Sequence, residues 1–369
     1  MEILISAGDP SGDLHAANLA REIKKLNSGI HISAVGGKKL NETSDTFIYD
    51  IVGLNLHGLP SVKQYFNLKK LLNEDIAGYL KKNKPTAIIP VDFYGFNIKL
   101  AQQAQKQNIP VYYFISPQIW ATRPERINAI KEFVNHISVI FPFEEKIYSQ
   151  AGVPVTFVGN PLLDTIPTMP HKALKNSSSE GFTIGLFPGS RKQVVSWNLQ
   201  TMLDTAKLIK DKYPQIIFKI IGLYSLKNCY MNVPKDGFEI LYESDYITRA
   251  NFDFAITTSG TVALENTLIG LPMLVMYKLP WPLYFLIKSI IKVSSVTITN
   301  LLTNEKLVPE FLQRDAQPDK IANTVLNIIS DENKLADIKQ KLENVRDILG
   351  EPGVYNRTAK LILEKINGL

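Results

Sequence analysis

Residues 257–265 of the chain read Thr257-Thr258-Ser259-Gly260-Thr261-Val262-Ala263-Leu264-Glu265. The apolar residues just before them predict a strand, and the spacing of Val262, Leu264 and Leu268 predicts a helix directly after it. At such a turn, Ser259, Gly260 and Thr261 can direct hydroxyls and backbone N–H groups at an anion, which the helix dipole also favours. Glu265, one turn further on, is placed to accept hydrogen bonds from a sugar diol. An ordinary capped helix after a strand fits these residues equally well.

The composition indicates a globular protein without a disulfide framework. The chain has 369 residues, 45% hydrophobic and 21% charged, which is enough for two domains with separate cores. A single cysteine excludes a network of disulfides. The five histidines lack metal-ligand spacing and no Asp-x-Asp motif occurs, so we predict neither a metal nor another cofactor.

The charge balance is mildly basic, with a net charge of +6 and a pI near 9.0. This bias suits phosphorylated substrates, an anionic membrane surface or nucleic acid. The sequence contains no zinc finger, RNP-type aromatic motif or dense Lys/Arg run, so we expect no nucleic acid among the partners. The first residues lack a basic start and resemble a buried strand rather than a signal peptide, which favours the cytoplasm.

Strand signals alternate with helical ones along most of the chain, which predicts parallel sheets covered by helices. The first half contains the predicted strands Ile3–Ala7, Ile32–Val35, Ala87–Val91, Val111–Ile115, Ile137–Phe141 and Val155–Val158. The second half contains Thr183–Phe187, Ile216–Ile221, Phe238–Leu241, Phe254–Thr257, Met273–Met276 and Val296–Thr299.

The polar, serine-rich residues 171–181 are the best linker candidate. They separate an N-terminal Rossmann-like domain at 1–170 from a C-terminal one at 182–345. A last helical region at 346–369, which contains a break at Gly350–Gly353, is expected to pack across the domains. Doubly wound sheets bind ligands beyond the carboxyl ends of their strands, so the predicted α/β architecture has two such domains facing across a cleft.

The loop after the first strand contains Gly8, Asp9, Ser11 and Gly12. Its glycines allow close backbone approach, and either Ser11 or Asp13 would cap the following helix. The loop lacks the G-x-G-x-x-G spacing of a dinucleotide site. We expect it to line the cleft, although plain turn chemistry is the alternative.

Two later strand ends in the first half carry further candidates. The strand at 87–91 delivers Asp92 to its carboxyl end, where a general base belongs, although Asp92 could also cap the next helix. Beyond the next strand, Trp120 offers a flat apolar face and Arg123 or Arg126 a fork for phosphate. Alternatively, Trp120 fills a gap in the core.

The predicted second domain opens on a strand followed by Gly189, Ser190 and Arg191 at a helix start. A tight turn, a hydroxyl and an arginine in this place are typical of a pyrophosphate site. This loop and residues 259–265 should lie on the same edge of one sheet, so the two signals support each other. Asn300 is expected to return to that edge.

Residues 270–302 are unusually apolar, but lysines and prolines interrupt them, so they do not form a standard membrane span. Lys288 and Lys292 fall on one helical face opposite bulky apolar residues. That pattern suits a helix lying on lipid or lining an acyl-chain groove, and equally a buried helix with two snorkelling lysines.

Together these stretches resemble the lipid-A-disaccharide synthases, bacterial glycosyltransferases, nearly from end to end. The resemblance is carried by the order and spacing of Ala7–Asp13, Ile115–Ala121, Phe141–Glu144, Phe157–Pro161, Pro188–Arg191, Ser259–Glu265 and Thr299–Leu302. It implies a GT-B fold and transfer of 2,3-diacylglucosamine from UDP to 2,3-diacylglucosamine 1-phosphate, with inversion. It also implies a peripheral position at the inner membrane and a homodimer.

The resemblance also assigns roles to residues. Asp92 matches the aspartate proposed as the base for the acceptor's 6-hydroxyl, while Arg191, Glu265 and Asn300 match positions near the nucleotide or the reacting sugar. Asp9, Val194 and Leu56 stand where glutamate is usual in the family. The remaining alternatives are another UDP-sugar GT-B enzyme, such as an epimerase, and an inert membrane-surface protein with the same fold.

Overall fold

The computed structural model describes residues 1–54, 68–169, 181–291 and 293–368. The chain forms two compact units, one of Met1–Asp164 with Leu349–Leu369 and one of Thr165–Ile348. The C-terminal region therefore belongs to the first unit. The linker expected at 171–181 lies outside the described residues except for Gly181, as does Leu56.

Unit 1 contains a seven-stranded parallel sheet in the order β3-β2-β1-β4-β5-β6-β7. The chain starts in the middle of this sheet and winds outward to both edges, as in doubly wound folds. The strands are β1 Glu2–Ala7, β2 His31–Gly36, β3 Thr46–Asp50, β4 Ala87–Val91, β5 Tyr112–Phe114, β6 His136–Val139 and β7 Val155–Phe157.

Helices cover both faces of this sheet, and the last of them belongs to its core. They are α1 Pro10–Leu26, α2 Lys38–Asn41, α3 Ala77–Asn83 after a π-helical turn at Leu71–Ile76, α4 Tyr94–Gln105, α5 Ile127–Phe133, α6 Pro142–Gln150 and α14 Val354–Asn367. Val354, Ala359 and Ile362 of α14 are buried in one cluster with Ile3 and Ile5 of β1. Burial of this apolar face fixes α14 on the sheet of unit 1.

Unit 2 contains a six-stranded parallel sheet in the order β10-β9-β8-β11-β12-β13. The strands are β8 Thr183–Phe187, β9 Ile217–Gly222, β10 Phe238–Tyr242, β11 Phe254–Thr257, β12 Met273–Tyr277 and β13 Glu310–Leu312. The helices are α7 Lys192–Lys212, α8 Tyr246–Ala250, α9 Thr261–Leu268, α10 Trp281–Ile290, α11 Ile298–Thr303, α12 Pro318–Ile329 and α13 Glu332–Ile348.

Most predicted strands are confirmed within one or two residues, but the strand predicted at Val296–Thr299 is wrong. Its backbone N–H groups at Val296 and Thr297 donate to the Glu310 carboxylate instead of a neighbouring strand, and α11 begins at Ile298. The short edge strands β3 and β13 were not predicted.

No helix among the described residues is long and apolar enough to cross a membrane. The apolar segment instead contains α10, which ends at Ile290, and Lys292 lies outside the described residues. On α10 the side chains of Trp281 and Phe285 are 44% and 61% exposed. An apolar face of this helix is therefore open to solvent.

Candidate functional site

The turn that carries Asp92 is strained. Asp92 follows β4 directly, and both Asp92 and Phe93 adopt left-handed backbone conformations, with φ of 48° and 47°, before α4 begins. Each such residue costs about 1–2 kcal/mol. Strain of this kind persists only where the surroundings enforce it, and it concentrates at functional sites.

The amide of Asn97 braces this turn from within the core. Its Nδ2 donates to the carbonyls of Val91 (3.1 Å) and Asp92 (2.8 Å), and its Oδ1 accepts from the Ser6 hydroxyl (2.7 Å). The Tyr113 hydroxyl donates a further hydrogen bond to the Asp92 carbonyl at 2.5 Å. Asn97 is completely buried, so the turn is held by hydrogen bonds that no water replaces.

The Asp92 carboxyl group is suited to proton transfer. Its Oδ1 accepts from the Phe93 N–H at 2.8 Å. Burial, and next the negative charge of Asp9, raise the pKa of Asp92 to about 6. A carboxyl group with this pKa is mostly ionised at neutral pH and is a stronger base than an exposed aspartate.

The first loop lies directly against the Asp92 turn. A Cβ on Gly8 would fall 1.9 Å from Cδ1 of the Phe93 ring, so only glycine fits there. Asp9, rather than Ser11 or Asp13, caps α1, since its Oδ1 accepts from the Gly12 N–H at 2.7 Å. Ser11 is exposed.

The prediction that Asp13 could cap α1 is wrong for a structural reason. Asp13 is buried, and its carboxylate accepts from the N–H groups of Gly37 (2.7 Å), Lys39 (3.0 Å) and Leu40 (3.3 Å) at the start of α2. It therefore joins α1 to the β2–α2 turn.

Trp120 is half-buried and held by its indole N–H, which donates to Glu144 Oε1 at 2.9 Å. The same carboxylate accepts from the Ser116 hydroxyl (2.6 Å) and from the Phe141 N–H (3.1 Å). Burial raises the pKa of Glu144 to about 7, although these hydrogen bonds favour the charged carboxylate and act to lower it. The sequence motif contained Glu144, but its role in fixing the Trp120 loop depends on contacts that spacing does not reveal.

Of the two arginines beyond Trp120, Arg126 contacts a residue close to the Asp92 turn. Arg123 is exposed and has a left-handed backbone with φ of 55°. Arg126 is half-buried, with its guanidinium carbon 4.3 Å from the centre of the Tyr94 ring. Tyr94 is the first residue of α4, two positions after Asp92.

In unit 2, the loop after β8 has the expected tight turn. Gly189 has φ of 122°, and a Cβ there would lie 2.6 Å from Cγ1 of Val194. Val194 therefore packs on the turn where the family usually has glutamate. Ser190 and Arg191 are exposed, and Arg191 is the N-terminal residue before α7.

The second loop of unit 2 leaves the same edge of the sheet, as the sequence predicts. Strands β8 and β11 are paired neighbours, and the Thr258 N–H donates to the Phe187 carbonyl at 3.1 Å. Gly260 precedes α9 with φ of 149°, and its Cβ position meets no atom within 4 Å. Thr261 is exposed, whereas the Ser259 hydroxyl donates to the Val296 carbonyl at 2.8 Å.

Glu265 and Asn300 are both engaged within the protein. Glu265 forms an ion pair of 2.6 Å with Arg249. The Asn300 amide donates to the Val308 carbonyl (2.8 Å) and to Glu310 (3.1 Å), and accepts from the Val308 N–H (2.8 Å). A ligand contact at either residue stays a prediction.

Glu310 organises this side of unit 2, although sequence reasoning did not single it out. It also accepts from the hydroxyls of Ser295 and Thr297, which fixes the loop that receives Ser259. Among the described residues, no group of three or more His, Cys, Asp or Glu side chains could hold a metal ion.

Comparison with known proteins places these features in a family context. The family model described as "Lipid-A-disaccharide synthetase" matches residues 3–365. The lipid-A-disaccharide synthase of Syntrophus aciditrophicus is 33% identical over 377 residues, covering 99% of this chain and 97% of the relative. That of Nitrosococcus oceani is 32% identical over 377 residues, covering 99% and 96%.

Solved structures of distant sequence share the fold. S. aureus MnaA, in a co-structure with UDP, superposes with a TM-score of 0.67 at 13% identity, covering 100% of this chain and 97% of that chain. The UDP-GlcNAc 2-epimerase of Neisseria meningitidis bound to UDP-GlcNAc gives a TM-score of 0.63 at 13% identity, with 100% of both chains covered. The two parallel-sheet units and this likeness confirm the predicted GT-B fold class.

Proposed function

The chain belongs to the lipid-A-disaccharide synthase family, and from this premise we propose how its residues divide the work of the glycosyl transfer. The enzyme is a glycosyltransferase that moves 2,3-diacylglucosamine from UDP to 2,3-diacylglucosamine 1-phosphate. The products are the β-1,6-linked disaccharide 1-phosphate and UDP. The epimerase alternative is not favoured, because the epimerases share only the fold at 13% identity.

Unit 1 supplies the base. Asp92 removes the proton from the acceptor's 6-hydroxyl while that oxygen attacks the anomeric carbon of the donor from the side opposite UDP, which inverts the configuration. The observation that carries this assignment is the strained, braced Asp92 turn with a carboxyl pKa of about 6. A positioned base contributes about 10²–10⁴-fold to such a rate. The acceptor side of the proposed site is lined by Gly8, Asp9, Ser11, Gly12 and Trp120.

Unit 2 holds the leaving diphosphate. Gly189, Ser190 and Arg191 form one side of the anion site, and Ser259, Gly260 and Thr261 at the start of α9 form the other. Support comes from the pairing of β8 with β11, which brings the two loops to one edge. MnaA was solved with UDP, and we propose the same nucleotide for this chain. Glu265 and Asn300 shape this site, and direct contacts with the sugar nucleotide are part of the proposal.

The test is a product assay with purified protein, UDP-diacylglucosamine and its hydrolysis product, separated by thin-layer chromatography. A disaccharide product supports the synthase, an isomerised sugar supports an epimerase, and lipid binding without turnover supports an inert protein. Asp92→Ala should abolish turnover while leaving UDP binding intact. Near-normal activity in that variant would rule out Asp92 as the base.

The exposed apolar face of α10 supports a peripheral position at the inner-membrane surface. Trp281 and Phe285 would enter the lipid, while Lys288, whose Nζ lies 5.8 Å from the centre of the Tyr284 ring, would meet anionic headgroups. Flotation with anionic vesicles should decrease in Trp281→Ser/Phe285→Ser and stay unchanged in Ile247→Ser, since Ile247 is also exposed. A homodimer, common in the family, is tested by light scattering.

A further inference from the structure

Arg123 and Arg126 are two neighbouring cations without an anionic side-chain partner in the part of the chain that the structure describes. Neither guanidinium makes an ion pair or a side-chain hydrogen bond with another described residue. Arg123 directly precedes the 3₁₀ turn Pro124–Arg126, and its carbonyl accepts from the Arg126 N–H at 3.1 Å. This hydrogen bond closes the turn, and the two positive charges are near enough to repel each other.

This arrangement carries an electrostatic cost. Burial, and next the charge of Arg123, lower the pKa of Arg126, while the neighbouring Glu125 opposes this less strongly. The left-handed backbone at Arg123 adds about 1–2 kcal/mol of strain. Two repelling cations on a strained turn are typical of a site that is completed by an anion.

Tyr94 connects Arg126 with the turn that carries the proposed base, Asp92. The Arg126 guanidinium stacks on Tyr94, which fixes its plane and leaves its N–H edge free to bind. Tyr94 begins α4 two residues after Asp92, and Tyr113, which donates to the Asp92 carbonyl, lies within electrostatic range of Arg126. Tyr94 thus links Arg126 to the helix that begins directly after the Asp92 turn.

We propose that Arg126 and Arg123 form the phosphate subsite of the acceptor, binding the phosphate monoester of 2,3-diacylglucosamine 1-phosphate while its 6-hydroxyl faces Asp92. The inference rests on the proposed function and adds the recognition of one substrate group. Arg126 supplies a planar fork of N–H donors, and Arg123 supplies a second, adaptable cation. This would make the enzyme selective for a phosphorylated acceptor over the free sugar.

The experiment compares two acceptors, the 1-phosphate and its dephosphorylated analogue, in mixed micelles with full-length protein. Arg126→Ala should lower kcat/KM for the 1-phosphate by about 10- to 100-fold, as expected for the loss of hydrogen bonds to a charged group. The kcat/KM for the dephosphorylated analogue and the KM for the donor should stay unchanged. The kcat/KM of Arg126→Lys for the 1-phosphate should lie between those of the wild type and Arg126→Ala, since lysine keeps the charge and loses the planar fork of donors. Arg21→Ala, an exposed arginine on α1, is the matched control and should change neither acceptor.

An equal loss with both acceptors would overturn the inference, because a structural defect does not distinguish them. Loss of flotation with phosphatidylglycerol vesicles in Arg126→Ala, with acceptor selectivity intact, would also overturn it by assigning the cations to membrane headgroups. Failure of the wild-type protein to form disaccharide from either acceptor would instead contradict the proposed function. Calorimetric titration of the acceptor without donor provides a readout independent of turnover.

Discussion

Replacement of Asn97 by alanine should disable the proposed base, Asp92, without any direct change to it. The substitution removes the three hydrogen bonds that join Ser6, Val91 and Asp92 inside a completely dry site. At about 1–1.5 kcal/mol each, the loss of the three bonds should lower the stability by about 3–4.5 kcal/mol. The left-handed pair at Asp92 and Phe93 stores about 2–4 kcal/mol of strain, so the freed turn is expected to relax.

The expected kinetic result is a decrease in kcat of about 10²-fold, with the KM for the donor unchanged, because only the position of the base is lost. Leu100→Ala is the matched control. Leu100 lies on the same helix, is completely buried and belongs to the core of unit 1, so its truncation costs a similar 2–5 kcal/mol but removes none of the hydrogen bonds that hold the Asp92 turn. Both variants are assayed well below their melting temperatures.

A double-mutant cycle separates positioning from general damage. If Asn97 acts through Asp92, then Asp92→Ala/Asn97→Ala should be no slower than Asp92→Ala alone. The reasoning is refuted if folded Asn97→Ala keeps the wild-type kcat, if Leu100→Ala loses as much, or if the two losses multiply in the double variant.

Three further predictions follow from the same geometry. Asp9→Asn keeps an acceptor for the cap of α1 but removes a charge that raises the pKa of Asp92, so the acid limb of the kcat/KM–pH profile, expected near pH 6, should move to lower pH. Asp92→Asn should stabilise the protein by about 1–2 kcal/mol in urea unfolding at pH 7.5. The pKa of Asp92 is raised in the folded protein, so the wild type is most stable where Asp92 is protonated, below pH 4, and loses this stability as the pH rises through 6. The stability advantage of Asp92→Asn over the wild type should therefore vanish near pH 4. In Gly260→Ala the methyl group has room, so the expected loss of stability of about 1–3 kcal/mol in thermal unfolding should come from the strained backbone alone. Calorimetry should also show weaker UDP binding in this variant.

The sequence was most informative where a strand is buried on both faces. Strand β4 was predicted at its observed bounds because Ala87–Val91 is a continuous apolar run, as interior parallel strands are. Strand β3 was missed because this edge strand is only partly buried and its residues mix polar and apolar types. Val296–Thr299 has the β-branched residues of a strand, but the distant Glu310 captures its N–H groups and the chain turns into α11.

The same limit applies to the site. The end of β4 predicted where Asp92 lies, because ligands collect at the carboxyl ends of parallel strands. The brace could not be predicted, since it joins Asn97 to Ser6 across 91 positions of the chain and no local pattern marks it. Likewise, the role of Glu144 depends on its contact with Trp120, 24 positions away.

The anion site proposed for unit 2 would depend more on backbone groups than the sequence suggested. Three of its predicted polar side chains are engaged internally: Ser259 with Val296, Glu265 with Arg249, and Asn300 with Val308. The groups left facing outward are the glycine turns, the start of α9 with Thr261, and the exposed Ser190 and Arg191. A diphosphate held by N–H groups and one arginine tolerates changes in neighbouring side chains, provided that the turns keep their shape.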